Sequence, residues 1–166
     1  MIHQTLQKLD HLVHFEEAKA HCDIPCGIYD PHHAQLAALT VIRMVDLMNN
    51  LVKEHPEHDL AFLNTMARYI AVKEEHAELC KHEIRVIWGD YIKEAHLAKY
   101  PQLHGLVHRI MQLGSQCRQT ANRDTAMALL QAVNEFAEIF WATKGIPTKR
   151  VKAPYQPAEE VVYPAL

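Results

Sequence analysis

The sequence predicts an all-α protein: an up-and-down antiparallel four-helix bundle with an irregular segment at its N-terminal end. Three observations carry that expectation. Apolar residues recur at helical spacing through four long segments. Proline and glycine punctuate the joints between them. Little of the β-branched alternation that strands require is present. Short joints between successive helices favour antiparallel neighbours.

Asp30 and Pro31 form the first helix start, with Asp30 as N-cap and Pro31 as first helical residue. Leu36, Leu39, Val41, Met44, Val45, Met48, Leu51 and Val52 mark the inner face, and Pro56 closes the helix. Asp59 can cap a second helix. There Leu60, Leu63, Ala67, Ile70, Ala71, Ala77, Ile84 and Ile87 recur as far as Gly89. The stretch "GDYIKEAHLAKYP" reads as a connector with a helical turn. Pro101 opens a third helix through Leu103, Leu106, Val107, Ile110, Leu113 and Cys117. Asn122 or Asp124 starts a fourth through Ala126, Leu129, Leu130, Val133, Phe136, Ala137 and Phe140, and Gly145 and Pro147 stop it. Residues 146–166 hold Pro147, Pro154, Pro157 and Pro164 with a Val161-Val162-Tyr163 patch. They read as an extended arm that floats or packs on a neighbouring subunit. The expected division is a leader over 1–20, an irregular segment over 21–31, a bundle over 32–145 and an arm over 146–166. No internal repeat is visible.

At 166 residues, 49% hydrophobic and 22% charged, the chain fits one globular domain. A net charge of −3 without any Lys/Arg block argues against nucleic acid or an anionic membrane surface as partner. No apolar run approaches the roughly 18 residues of a spanning helix. The 13 histidines are many, and histidine is the commonest metal ligand. Ala18-Lys19-Ala20 imitates a secretory cleavage site, but the preceding "MIHQTLQKLDHLVHFEE" lacks the apolar stretch of a signal peptide. The expectation is a cytoplasmic protein whose leader is removed by something other than the export machinery, against the plainer reading of an uncleaved, partly helical extension.

Four cysteines do not make a disulfide framework in such a chain. Cys80 and Cys117 stand singly in apolar-periodic segments, as small buried hydrophobes do. His76 and Cys80, four apart on a helix, read as a surface histidine and a buried cysteine. His32 and His33 read as solvated, and Trp88, Trp141 and Phe140 as core or interface aromatics. Cys22 and Cys26 are different. In "AKAHCDIPCGIYDP" they flank Pro25 and Gly27, which force turns. A reducing compartment leaves three outcomes: a metal site, a redox pair or nothing. The spacing is not that of thioredoxin-like pairs, and a zinc site wants four paired ligands. Cleavage after Ala20 would change the inventory. The free amine of His21, the amide nitrogen of Cys22 and two thiolates then form a planar N2S2 set, with the His21 imidazole available as axial ligand. Square-planar nitrogen and sulfur donors select nickel(II) or copper(II).

The run "HCDIPCGIYDP" closely resembles the nickel hook of nickel-containing superoxide dismutases, and the likeness continues through "KEEHAELCKHEIRVIWGDYIKEAHLAKYPQLHGLV" into "EIFWATKG". The resemblance implies a four-helix bundle, a homohexamer, one nickel ion per subunit and a dedicated leader-processing protease. It implies His21, Cys22 and Cys26 as metal ligands, with Pro25 and Gly27 shaping the turn. Tyr29 would guard the approach to the metal, Asp23 would organise the hook, and Tyr91 matches a second family tyrosine near the site. The implied activity is disproportionation of superoxide to dioxygen and hydrogen peroxide by one-electron Ni(II)/Ni(III) cycling. Lys93 and Lys99 are candidate cations for the anionic substrate. One departure stands out. The family's axial imidazole is oriented by a glutamate and an arginine, and the matching positions here are Ala37 and His76. With Glu75 or His76 as substitutes, a weaker or differently held axial ligand is expected. The alternative function is a non-enzymatic nickel or copper carrier using the same hook. A di-iron bundle is disfavoured, because no Glu-x-x-His occurs anywhere in the sequence.

Overall fold

The computed structural model describes residues 27–166. His21, Cys22, Asp23, Pro25 and Cys26 lie outside the described residues, as does the leader. Four long helices form the bundle: α1 (His32–Glu54), α2 (Leu60–Val86), α4 (Leu103–Gln119) and α5 (Arg123–Thr143), with a short α3 (Glu94–Lys99) in the connector. They pack in a closed ring, α1 on α2, α2 on α4, α4 on α5 and α5 back on α1. The four-helix expectation therefore holds, with α3 as the anticipated helical turn.

The helix starts follow from side chains that satisfy orphan amides. Asp30 accepts from the His32 amide at 2.8 Å, Asp59 from Phe62 at 2.8 Å, and Asn122 from Thr125 at 2.8 Å. At the far end of α5 the chain turns through Gly145, whose φ of +71° suits a residue without a Cβ. The core is filled by Ile42, Ile84, Leu103, Ile110, Leu129, Leu130, Phe136 and Phe140, all essentially inaccessible. Lys73 is buried among them. Its ammonium donates to the carbonyls of Cys117, Arg118 (2.7 Å) and Thr120 (3.1 Å), capping the C-terminus of α4. Burial lowers its pKa from the usual lysine value.

Three details differ from the sequence-based expectation. The first half of α2 does not bury Leu60, Leu63 and Ile70, which are 81%, 55% and 38% exposed, whereas Phe62 turns inward. The reason is length: at 1.5 Å per residue α2 runs about 40 Å and α4 only about 26 Å, so no fourth wall covers the α1–α2 tip. The end of α2 does not stop at Gly89 but winds into a π-helical turn over Ile87–Tyr91, closed by the Ile92 amide on the Ile87 carbonyl at 3.1 Å. The C-terminal segment is a two-stranded antiparallel hairpin, β1 (Thr148–Lys152) against β2 (Glu160–Pro164), with Thr148 opposite Pro164 and Lys152 opposite Glu160. It packs on α5 and α1 of its own chain, burying Val161 and Val162 completely. Among the described residues, no helix is long and apolar enough to cross a membrane.

Candidate active site

Gly27 has φ +71°, a conformation that costs little only without a Cβ. A Cβ added there would meet nothing within 4 Å, so backbone angle rather than space calls for glycine. Two residues on, Tyr29 is half-buried and its ring lies 5.6 Å from that of Tyr91, tilted by 46°. The two tyrosines named from the sequence are thus brought together, 62 positions apart in the chain. The π-helical turn places Tyr91 at the bundle end where α1 begins and α5 finishes.

Tyr91 is held on several sides. His96 stacks on it at 5.2 Å and 18°, and Phe140 tilts against it at 5.0 Å. Its hydroxyl is 2.8 Å from Thr143 Oγ1. Thr143 in turn donates to the Phe140 carbonyl at 2.6 Å. A hydroxyl has one proton, so Thr143 is committed as donor to the carbonyl and Tyr91 must donate to Thr143. The Tyr91 oxygen keeps its acceptor capacity.

Of the lysines named in the connector, Lys93 donates to the Asp90 carbonyl at 2.7 Å and Lys99 lies over the neighbouring Tyr100 ring at 5.4 Å. Lys144, which sequence reasoning did not single out, is the cation at the tyrosine pair. Its ammonium sits 4.7 Å from the Tyr91 ring centre and 5.2 Å from that of Phe140. Its only sequence signal was its place inside "EIFWATKG".

Beside this end of the bundle, α1 and α2 enclose a groove of about 190 Å³ lined in part by His33, Ala37, His76 and Glu83. His76 Nδ1 is 2.9 Å from the Val72 carbonyl. A carbonyl only accepts, so Nδ1 carries the proton and Nε2 of the neutral ring is an acceptor. His33 Nδ1 lies 3.9 Å from Glu83 Oε2. Glu75 does not line the groove. Ala37 leaves open the place a longer side chain would fill.

The remaining thiols are unsuited to a metal. Cys80 is inaccessible and burial pushes its pKa well above the ordinary thiol value. Cys117 is pushed up to about 11 by the same cause. The thiolate is the form that ligates. Among the described residues, no group of three or more His, Cys, Asp or Glu side chains could hold a metal ion.

Comparison with known proteins gives a consistent picture. The sequence profile of the family described as nickel-containing superoxide dismutase matches residues 16–144. The nickel superoxide dismutase of Streptomyces coelicolor is 35% identical over 125 residues, covering 75% of this chain and 88% of that protein. That of Streptomyces seoulensis is 35% identical over 128 residues, covering 77% and 91%. A solved native nickel superoxide dismutase superposes with a TM-score of 0.65 at 35% identity, covering 75% of this chain and 99% of the solved one.

Proposed function

The chain belongs to the nickel-containing superoxide dismutase family, and from that premise we propose how its own residues build the site. It is an oxidoreductase that disproportionates superoxide, with nickel as cofactor. In the proposed arrangement a leader over 1–20 is removed by a processing protease, residues 21–31 form the nickel hook, and 32–145 form the bundle that carries it. His21 supplies its amine and imidazole, Cys22 its amide nitrogen and thiolate, and Cys26 the second thiolate. The observation that supports this donor set is the burial of both other thiols, which holds them protonated.

Nickel, when bound, supplies a Ni(II)/Ni(III) couple through which two superoxide anions and two protons become dioxygen and hydrogen peroxide. The residues around it do the rest. Asp23 organises the hook. Tyr29 and Tyr91 form a wall that limits access to molecules of superoxide's size. Tyr91, its proton given to Thr143, offers an acceptor oxygen. Lys144 places a positive charge on the tyrosine pair, a local attraction that the overall charge of −3 does not provide.

The subunit is read as one of a homohexamer. In support, Leu60, Leu63, Ile70, Leu79 and Trp88 form apolar surface on and after α2 that a single bundle leaves uncovered. Support for a cytoplasmic assignment comes from Cys80 and Cys117, which are buried and unpaired among the described residues.

Catalytic consumption of superoxide by processed, nickel-loaded protein tests the reading. A carrier would bind nickel stoichiometrically and show no turnover. With Ala37 and His76 at the positions of the family's glutamate–arginine pair, the axial nitrogen is expected to be held more weakly. Electron paramagnetic resonance of the oxidised protein should show a smaller axial-nitrogen hyperfine coupling than the Streptomyces proteins give. An equal coupling would contradict it.

A further inference from the structure

The family match ends at residue 144, before the hairpin begins at Thr148. The hairpin packs chiefly on α5 and also touches α1, where one of its contacts falls on the first turn. Tyr163 of β2 lays its ring 5.4 Å from that of His32, in the first turn of α1. The His32 amide donates to Asp30, directly beyond Tyr29. In the same turn Gln35 is wholly buried and donates to Asn134 Oδ1 at 2.9 Å. Asn134, equally buried, donates to the Glu160 carbonyl of β2 at 2.8 Å. A buried side-chain relay thus runs from α1 through α5 to the hairpin backbone.

Two charged straps hold the hairpin in place. Arg123 bridges Asp46 of α1 (2.9 Å) and Glu159 (2.6 Å), and Arg150 of β1 takes both oxygens of Glu138 on α5, at 2.7 and 3.1 Å. The first turn of α1 also carries His32 Nδ1 and Gln35 Oε1, buried without a hydrogen-bond partner among the described residues. Burying unpaired polar atoms costs stability, and the hairpin contacts offset that cost at this turn.

We propose that the C-terminal hairpin is a positioning clamp for the hook, acting through Tyr163 on His32 so that the root of the hook stays seated with Tyr29 against Tyr91. Tyr163 is a positioning residue, acting through the His32 ring on which it packs. The proposal rests on the hook reading for its consequence at the metal, but not for the clamp itself.

The test uses the full processed chain carrying Tyr163→Ala or Tyr163→Phe. Tyr163 is half-buried, so Val161 and Val162 remain to hold the hairpin. In metal-free protein, Tyr163→Ala should speed amide hydrogen exchange at residues 34–36 about tenfold while α4 amides keep their rates, and Tyr163→Phe should behave as wild type. In nickel-loaded protein, Tyr163→Ala should lose nickel to a chelator several times faster and broaden the paramagnetic resonance signal. Unchanged exchange in the first turn of α1 overturns the clamp. Faster exchange with nickel retention and linewidth unaltered overturns its role at the metal. Failure of the wild-type processed chain to bind nickel refutes the hook reading, and the exchange arm still decides the clamp.

Discussion

A chain that retains residues 1–20 should turn over superoxide about a thousandfold more slowly than one beginning at His21, roughly 4 kcal/mol of transition-state stabilisation at 1.36 kcal/mol per decade. With the leader attached, the His21 nitrogen is a peptide amide whose lone pair is delocalised into the preceding carbonyl. The amine donor does not exist and the imidazole is no longer beside a chain end free to fold over a metal. Nickel content should fall together with activity. Intact-mass analysis paired with a turnover assay measures both, and full activity with the leader present would sink the terminal-hook mechanism.

The second large effect concerns Phe140. It is wholly buried, lies 5.0 Å from Tyr91 and 5.0 Å from Trp141, and supports one side of the Lys144 contact. Truncation to alanine removes the floor under Tyr91, and large-to-small changes at such sites cost about 3–5 kcal/mol. Denaturant unfolding of Phe140→Ala should show that loss, whereas Phe140→Leu, closer in volume, should lose less than about 1.5 kcal/mol. The leucine variant should still give a disordered Tyr91 ring by aromatic NMR. A loss below about 1 kcal/mol for the alanine variant would mean that this corner of the core is far more plastic than its packing implies.

How much of this was legible in the sequence depended on how local each cause is. Asp59 and Asn122 cap their helices from three residues away, Asn122 being one of the two starts the sequence offered. Asp30, one residue before the Pro31 N-cap, accepts from the His32 amide. Gly145 likewise ends α5 by its own backbone angle. The proposed donors were legible for the same reason: His21, Cys22 and Cys26 fall within six residues. What escaped was set by distant partners. The apolar spacing of Leu60, Leu63 and Ile70 says that one face is apolar, not that α4 is too short to cover it. The Val161-Val162-Tyr163 patch was visible, but the strand it pairs with, "TKRVK", has no apolar alternation of its own and is exposed over four of its five residues. His32 reads from the sequence as a solvated residue, yet its ring packs at a tilt against that of Tyr163, 131 positions later. Lys144 gained its place only when α5 and the π-helical turn met at one end of the bundle.

The same distinction separates the two halves of the site. Metal donors can sit in a short peptide, whereas the wall, the cation and the hairpin clamp require a folded bundle to bring residues 29, 32, 91, 144 and 163 to one end. Nickel is expected to select the first and superoxide to be managed by the second.

The most direct measurement of that account is nickel content and superoxide turnover in processed protein carrying, one at a time, Cys22→Ser, Cys26→Ser, Cys80→Ser and Cys117→Ser. Loss of nickel and of activity in the first two, with a full nickel complement and near-native turnover in the last two, is the predicted result. Retention of nickel and activity in either Cys22→Ser or Cys26→Ser would contradict it.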